Sequence, residues 1–224
     1  MKVAAIIASG GQGKRMGSQE PKQFIKVDSK PILAYTLAVF NSCAGVNEII
    51  LTAPSGYESV TDEIARAYKI DKASNIVTGG DSRQQTVYNA LQAARGAGIV
   101  LIHDAVRPFV TADEITRIIE AAGIYGACSL GAPVKDTIKI CDSGGFVINT
   151  PPRETLWQIQ TPQGFLYDII MSAHEAARAS GYTATDDAGL AERVGQPTRI
   201  IKGNYANIKI TTQEDLLFFE LKSG

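Results

Sequence analysis

Strand-like and helix-like patterns alternate along the first 122 residues, and this alternation constrains the fold most. The continuous apolar runs KVAAII (2–7) and GIVLIHDA (98–105) are typical of strands that helices cover on both faces. Between them lie helical patterns such as SRQQTVYNALQAA (82–94), where Ser82 is a good N-cap, and TADEITRIIEAA (111–122), which opens with a capping threonine. The same criteria predict strands at 47–53 and 75–80 and helices at 32–40 and 57–68. This order predicts an α/β fold with a mainly parallel sheet flanked by helices.

A different pattern begins at residue 135. Residues 135–157 hold two β-like runs, TIKIC (137–141) and FVINT (146–150), about a Ser-Gly-Gly turn, which predicts a β-hairpin. The hairpin either leaves the sheet as an arm of the kind that often makes dimer contacts, or extends a sheet edge in the antiparallel direction. Beyond it the patterns predict helices at 165–180, 185–195 and 212–222 and a strand at 198–203. We expect one domain, 1–224, with an excursion near 135–157.

The composition excludes some classes of partner. The chain has 224 residues, of which 45% are hydrophobic and 20% charged, and its net charge is −1. Nothing in this balance favours binding to nucleic acid or to an anionic membrane, so anion recognition must come from a few local cations. Cys43, Cys128 and Cys141 are too widely spaced for a disulfide framework or a zinc site. The apolar run at 3–9 is too short for a signal peptide or a membrane span, so we expect a soluble cytoplasmic protein.

The stretch SGGQGKRMG (9–17) follows the first predicted strand and matches neither of two familiar phosphate motifs. A P-loop would need glycine where Ala8 stands and a hydroxyl residue where Arg15 stands. A dinucleotide fingerprint would need glycine in place of Met16, and no acidic residue ends the next strand. What remains is a strand followed by a glycine turn and cations.

Glycines in such a turn allow the backbone to approach a ligand closely. Gly11 and Gly13 can direct N–H groups inward, and Lys14 and Arg15 can then meet phosphate oxygens that those amides hold. Lys22 follows within EPKQF, and the set suits a triphosphate. A tight turn with solvated cations explains the stretch equally well.

Asp104 follows an apolar strand, and the carboxyl ends of parallel strands are where such sheets bind ligands. Because Mg²⁺ takes one or two carboxylates and bridges to phosphate, Asp104 is the predicted metal ligand, with a simple turn aspartate as the alternative. We expect His103 to be a packing residue and His174 to lie in a helix with nothing beside it. Asp186 and Asp187 are interpreted as helix caps without a chemical role.

Several segments together carry a family resemblance. These are GQGKRMG with PKQF, GGDSRQQTV (79–87), HDAVRPF (103–109), APVKDTIK (132–139), PPRETLWQIQTPQGF (151–165), TDDAGL (185–190) and NIKITTQEDL (207–216). With them the chain resembles the 2-C-methyl-D-erythritol 4-phosphate cytidylyltransferase family in order and over nearly its whole length. The ribitol-5-phosphate cytidylyltransferase family shares the glycine loop, PKQF, HDAVRPF and NIK, but VKDTIK and PPRETLWQIQTPQ favour the methylerythritol family.

The resemblance implies transfer of CMP from CTP to 2-C-methyl-D-erythritol 4-phosphate, which gives 4-diphosphocytidyl-2-C-methyl-D-erythritol and pyrophosphate. It also implies Mg²⁺ or another divalent cation, a Rossmann-like sheet, and a homodimer with interlocked β-arms. By this resemblance the catalytic residues are Arg15, Lys22 and Lys209. The nucleotide-binding residues are Ser9, Gly10, Gly11, Gly13, Lys14, Gly80, Asp81, Arg83, Thr86, Asp104 and Ala105. The residues that bind the polyol phosphate are Asp104, Arg107, Thr137, Arg153 and Thr161. By the same resemblance, Arg153 reaches the other subunit's site.

The chain departs from the family pattern in two places, residues 8–10 and residue 86. The family usually reads Pro-Ala-Ala-Gly where this chain has ASGG (8–11), and many members have serine where Thr86 stands. Three other hypotheses stay open. The chain could use ribitol 5-phosphate as acceptor, or it could be a non-catalytic nucleotide-binding module on the same fold. A dehydrogenase is disfavoured by the missing third glycine and the missing ribose-binding acid.

Overall fold

The computed structural model describes residues 1–10 and 21–223, and a seven-stranded sheet lies at their centre. With strands numbered in chain order, the sheet runs as β11 (Arg199–Lys202), β7 (Ala127–Pro133), β10 (Trp157–Leu166), β6 (Ile99–Asp104), β1 (Val3–Ala8), β4 (Glu48–Ala53) and β5 (Ala73–Thr78). Of these seven strands, β10 runs antiparallel to its neighbours and the others pair in parallel. Two short antiparallel pairs lie outside the sheet, β2 (Lys26–Val27) with β3 (Lys30–Pro31) and β8 (Ile140–Cys141) with β9 (Val147–Asn149).

The helices cover both faces of the sheet, as the alternating pattern predicts. They are α1 (Ile32–Ser42), α2 (Glu58–Ala67), α3 (Arg83–Ala93), α4 (Ala112–Tyr125), α5 (Tyr167–Ser180), α6 (Asp187–Arg193) and α7 (Gln213–Ser223). Helices α1, α2 and α4 contribute to one buried apolar cluster, and α3, α5 and α6 contribute to another. Within the described part of the chain, no helix has both the length and the apolar character that a membrane crossing needs.

Strand β1 shows why its sequence is apolar throughout. Val3, Ala5 and Ile7 pack into the first cluster, whereas Ala4 and Ile6 pack into the second. Successive side chains of a strand point to opposite faces, so a strand with helices on both sides needs apolar residues at every position. The prediction of a sheet covered on both faces is therefore confirmed.

Local capping signals also predict the helix starts correctly. Ser82 accepts a hydrogen bond from the backbone N–H of Gln85 at 3.0 Å, and α3 begins at the next residue. Thr111 and Glu114 form a reciprocal capping box at the start of α4. Both caps satisfy backbone donors that the first helical turn leaves unpaired.

The predicted hairpin forms its own two-stranded sheet and not an extension of the central one. Its strands β8 and β9 are shorter than the runs TIKIC and FVINT suggested, and every residue from 135 to 150 is exposed. The arm interpretation is therefore favoured over the sheet-edge alternative. The chain returns from this arm directly into β10.

The sequence patterns do not predict strands β7 and β10. Helix α5 begins two residues later than the helix predicted at 165–180. Strand β10 carries three glutamines, Pro162 and Gly164, which are weak strand formers. The ladder with β7 is interrupted between Ile159 and Gln163, which leaves Pro162 in an irregular stretch where no ladder hydrogen bond is needed. Phe165 and Leu166 still pair with β6, so α5 starts only at Tyr167.

The carboxyl ends of β1, β4, β5 and β6 lie at one edge of the sheet and define where a ligand can approach. Ala8 of β1 pairs in register with Asp104 of β6, and Ala53 of β4 pairs with Thr78 of β5. In open α/β sheets this carboxyl edge is the usual place for ligands.

Gly164 provides a test of how tightly β10 is packed. A Cβ atom there would lie 2.6 Å from Ile118 Cγ2 and 3.2 Å from Ala122 Cβ on α4. We expect Gly164→Ala to lower the free energy of unfolding by about 1–3 kcal/mol through overpacking. Chemical denaturation of the purified variant measures this loss.

The matched control is Gly123→Ala within α4, where the nearest atom to the new Cβ is Ile99 Cδ1 at 3.8 Å. That change removes chain entropy from the unfolded state without a clash, so it should be neutral or stabilising by about 0.4–1 kcal/mol. Equal destabilisation by both variants would contradict the close packing of α4 on β10.

Candidate active site

Asp104, the last residue of β6, is a buried carboxylate that three cations surround. Its Oδ2 lies 3.0 Å from Lys209 Nζ and 3.3 Å from Arg107 Nε, and its Oδ1 lies 3.5 Å from Arg83 Nε. Its backbone N–H donates to Thr161 Oγ1 at 3.1 Å. We call Asp104, Arg83, Arg107 and Lys209 the Asp104 cluster.

The cluster fixes the charge of Asp104. Burial alone would raise the pKa of its carboxyl, but Lys209, Arg83 and Arg107 together hold that pKa well below its usual range. The pKa of Arg83 is raised, because Asp187 and Asp104 outweigh the effect of burial. The side chains of Arg83 and Lys209 are 31% and 36% exposed, so both cations can also meet an anionic ligand from solvent.

Residues far apart in sequence hold the cluster together. Arg107 also donates from Nη1 to the carbonyl of Asn207 at 2.8 Å, and Asn207 in turn donates from Nδ2 to the carbonyl of Thr161 at 2.9 Å. The segment that carries Lys209 is tied down by the N–H of Ile210, which donates to Val106 O at 2.9 Å. The turn after β6, strand β10 and the segment before α7 therefore support one another.

Lys22 approaches the same segment from the N-terminal part of the chain. It begins a short 3₁₀ helix at Lys22–Phe24, and its Nζ donates to the carbonyl of Ile210 at 3.2 Å. This contact brings Lys22 close in the fold to Lys209, the neighbour of Ile210.

The ends of β1 and β5 form a second part of the site, next to Asp104. Ser9 is buried, donates its N–H to Thr52 Oγ1 at 2.7 Å and accepts from Gln23 Nε2 at 2.7 Å. A Cβ on Gly10 would lie 2.8 Å from Thr86 Oγ1 and 3.4 Å from Gly79 Cα. Glycine at position 10 therefore permits a close contact between the two strand ends.

Thr86 fixes the turn that follows β5. Its Oγ1 accepts from the N–H of Gly80 at 3.0 Å and donates to the carbonyl of Ser82 at 2.9 Å. The hydroxyl of Thr86, a residue that the resemblance assigns to nucleotide binding, thus donates its proton within the protein. The adjacent Asp81 is exposed at the start of the turn.

Comparison with known proteins decides which family carries this arrangement. A family model described as IspD, 2-C-methyl-D-erythritol 4-phosphate cytidylyltransferase, matches residues 3–222. The chain belongs to the IspD family. It is 44% identical over 221 residues to the 2-C-methyl-D-erythritol 4-phosphate cytidylyltransferase of Pelotomaculum thermopropionicum, with 98% of this chain and 93% of that protein covered. The corresponding enzyme of Geobacillus kaustophilus is 44% identical over 220 residues, which cover 98% and 96% of the two chains.

Solved structures agree on the fold. The 4-diphosphocytidyl-2C-methyl-D-erythritol synthase of Anaerococcus prevotii superposes with a TM-score of 0.88 at 32% identity, covering 99% of this chain and 96% of that one. The 2-C-methyl-D-erythritol 4-phosphate cytidylyltransferase of Thermus thermophilus gives a TM-score of 0.83 at 31% identity, covering 100% and 99%. The α/β fold expected from the sequence is the fold of this family.

The structure brings many, but not all, of the site residues predicted from sequence into one place. Those at or beside the carboxyl edge are Ser9, Gly10, Lys22, Gly80, Asp81, Arg83, Thr86, Asp104, Ala105, Arg107, Thr161 and Lys209. Thr137 and Arg153 lie apart on the exposed 135–157 segment, where Arg153 Nη1 donates to the carbonyl of Lys135 at 2.8 Å. Gly11, Gly13, Lys14 and Arg15 lie outside the described residues.

Two expectations for acidic and histidine residues are wrong. His174 is fully buried and does have a neighbour, because its Nε2 lies 3.1 Å from Asp187 Oδ1. Asp187 is the first residue of α6 and not its cap, and its Oδ2 accepts from Arg83 Nη1 at 2.7 Å. No local pattern could reveal a pair whose members lie 104 residues apart. Asp186 does cap α6, by accepting from the N–H of Gly189 at 3.0 Å.

His103 is the packing residue that was expected. Its ring packs against Phe40 with centroids 4.9 Å apart, and its nitrogens bond Thr161 Oγ1 and the carbonyl of Arg107. Burial is the main cause that lowers the pKa of His103 to about 4. The ring is therefore neutral at pH 7 and holds Thr161 and Arg107 in place.

The pKa of His103 predicts how stability depends on pH. The unfolded chain binds the proton near pH 6.5 and the native state only near pH 4. Between these values the unfolded state holds more protons, so the free energy of unfolding should fall as the pH is lowered, by up to about 1.4 kcal/mol per pH unit from this group. Urea denaturation between pH 7 and pH 4 measures the slope.

The variant His103→Gln removes this titration. Its stability should depend less steeply on pH over the same window, although its stability at pH 7 is lower. Parallel curves for the two proteins would show that His103 does not change protonation on unfolding.

Proposed function

We propose that this chain transfers CMP from CTP to 2-C-methyl-D-erythritol 4-phosphate, and that the Asp104 cluster forms the core of its active site. The main support is family membership over residues 3–222 together with three cations at the carboxyl edge of the sheet. The chain is a cytidylyltransferase by family, so nucleotidyl transfer is its class of chemistry.

A phosphate oxygen of the acceptor attacks the α-phosphorus of CTP, a new P–O bond forms, and the bond to the leaving pyrophosphate breaks. Two anions must approach each other, so catalysis rests on positioning and on cations that stabilise the added charge. Among the described residues, Lys209 and Lys22 are assigned this stabilising role. Lys209 contacts Asp104, and Lys22 contacts the carbonyl of Ile210, the residue after Lys209. Arg15 is assigned the α-phosphate from the sequence resemblance.

The nucleotide is assigned to the ends of β1 and β5 and to the undescribed glycine loop. Ser9, Gly10 and Ala105 supply closely packed backbone beside Asp104, while Gly11, Gly13 and Lys14 would hold the triphosphate. The N–H of Gly80 is taken by Thr86, so Gly80 would offer its carbonyl to the base. A carbonyl suits the amino group of cytosine, which is a hydrogen-bond donor. Asp81 and Arg83 border this position.

Asp104 fits a divalent cation as a single carboxylate ligand. Among the described residues, Arg83 contacts Asp104 Oδ1 at 3.5 Å, whereas Asp104 Oδ2 contacts two cations at shorter distances. Among residues 1–10 and 21–223, no group of three or more His, Cys, Asp or Glu side chains could hold a metal. Phosphate oxygens and water would therefore complete the shell, as is usual for Mg²⁺. When bound, Mg²⁺ would neutralise charge on the phosphates.

The acceptor is assigned to Arg107 and Thr161 of one subunit and to Thr137 and Arg153 of its partner. The arm exposes large apolar side chains, among them Phe146 and Ile148, which are 76% and 66% exposed. Clustered exposed apolar residues mark interaction surfaces, so the arm supports a homodimer in which Arg153 reaches the other subunit's site. The 1–224 chain would then act as one domain per subunit.

The alternative functional hypotheses have less support. Ribitol 5-phosphate would keep the chemistry and change the acceptor, but the family match is to the methylerythritol enzymes. A non-catalytic nucleotide-binding module would need the same cations about Asp104, but the family match is to enzymes. The cysteines Cys43, Cys128 and Cys141 are all unpaired, which suits the cytoplasm as the proposed location.

Pyrophosphate release tests the reaction. With CTP, Mg²⁺ and methylerythritol 4-phosphate, we expect turnover that Lys209→Ala or Arg15→Ala lowers by about 10²–10³-fold, the effect of losing one transition-state donor. Arg66→Ala is the matched control, because Arg66 is an exposed arginine that pairs with Asp62 on α2. Ribitol 5-phosphate is offered in parallel. Turnover with ribitol phosphate alone would overturn the acceptor, and silence with both acceptors would overturn the enzyme proposal.

Subunit complementation tests the shared site. Arg153→Ala and Lys209→Ala should each be nearly inactive as homodimers. In a two-fold symmetric dimer, co-expression of the two variants restores one intact site in each mixed dimer, or about a quarter of wild-type activity in a random mixture. Dimers on size exclusion without recovered activity would show that Arg153 serves its own subunit.

A further inference from the structure

Asp187, the first residue of α6, is a buried carboxylate with two partners from other helices. It is 1% exposed, accepts from Arg83 Nη1 of α3 at 2.7 Å and contacts His174 Nε2 of α5 at 3.1 Å. A buried charge is tolerated only when it is paired and hydrogen-bonded. The contact with Arg83 therefore makes the buried charge of Asp187 tolerable to the folded state.

Arg83 lies between two carboxylates but binds them unequally. Its guanidinium is 2.7 Å from Asp187 and 3.5 Å from Asp104 Oδ1, a distance at which a hydrogen bond is weak. An arginine beside a single buried carboxylate ordinarily closes to a short, often bidentate pair. The closer contact of Arg83 is therefore the one to Asp187, through Nη1, while Nε faces Asp104.

We propose that Asp187 is a positioning residue that holds Arg83 off Asp104, so that Asp104 Oδ1 stays open to the divalent cation that accompanies the nucleotide. Asp104 Oδ2 is already engaged by Lys209 and Arg107, so Oδ1 is the oxygen that can coordinate. The inference rests on the proposed metal-dependent transfer and adds a residue that controls access to the metal ligand.

Strand β10 fixes Asp187 in this place. Gln163 accepts from the backbone N–H groups of Asp187 and Ala188 at 3.2 and 3.0 Å, and it donates to Asp186 Oδ2 at 2.7 Å. The first turn of α6 is therefore attached to the central sheet. Because the strand that carries Gln163 also carries Thr161, one element positions both sides of the Asp104 cluster.

The test is Asp187→Asn, which keeps the shape and removes the charge that attracts Arg83. Mn²⁺ serves as the probe metal, and its binding to the protein with a non-hydrolysable CTP analogue is followed by electron paramagnetic resonance. We expect the Mn²⁺ Kd to rise by about tenfold or more, as is typical when a residue behind a metal ligand is changed. Binding of the analogue without metal should stay near wild type.

Asp186→Asn is the matched control. Asp186 lies in the same turn and caps the same helix, but its carboxylate contacts Gly189 and Gln163 and not Arg83. We expect an unchanged Mn²⁺ Kd. An equal loss in both variants would show that only the integrity of α6 matters and would overturn the positioning role.

The double variant Asp187→Asn with Arg83→Gln separates positioning from a structural effect. If the freed guanidinium is what blocks Oδ1, its removal should restore Mn²⁺ affinity to near the wild-type value, whereas a structural defect would persist. Both Arg83 variants are measured with the analogue at saturating concentration, because Arg83 is itself assigned to the nucleotide. Should Asp187→Asn fail to fold, Arg83→Gln under these conditions should bind Mn²⁺ at least as tightly as wild type, and a tenfold loss would contradict the proposal. A wild-type protein that binds no Mn²⁺ with the analogue would instead refute the proposed metal site.

Discussion

The charge on Asp104 is the constraint on which the rest of the site depends. A carboxylate buried at the end of β6 would be strongly destabilising alone, so the fold must bring cations to it. Arg83 comes from α3, Arg107 from the turn after β6, and Lys209 from the segment before α7. The same contacts that make Asp104 tolerable to the folded state gather positive charge where a triphosphate would bind. Under the proposed function, one set of ion pairs would therefore provide both stability and activity.

Strand β10 is the element that turns a parallel sheet into this particular site. It runs antiparallel between β6 and β7 and carries polar residues into the buried centre of the sheet. There Thr161 bonds the N–H of Asp104 and the ring of His103, and Gln163 bonds the start of α6. Because the segment 135–157 leads into β10, the arm and the site are connected along the chain through a single strand.

The sequence predicts those features that local chemistry determines. Apolar runs predict β1 and β6, the caps Ser82 and Thr111 place two helix starts, and the position of Asp104 after a strand places it at the ligand edge. Strand β10 escapes prediction because Gln, Pro and Gly occupy positions where strand formers are expected, and tertiary hydrogen bonds compensate for them. The pairing of Arg83 with Asp187 escapes for a different reason, since it depends on how α3 and α6 pack and has no local signature.

The departure of this chain from the usual family pattern near position 10 follows the same logic of paired contacts. A Cβ on Gly10 would lie 2.8 Å from Oγ1 and 2.9 Å from Cγ2 of Thr86, and real Cβ contacts are not so short. Serine at position 86, as in many family members, lacks the Cγ2 atom, so alanine at position 10 meets one obstacle there and not two. Threonine adds a methyl group, and glycine at position 10 gives it room. The hydroxyl that holds Gly80 is kept in either case, which leaves the turn after β5 with the same anchor.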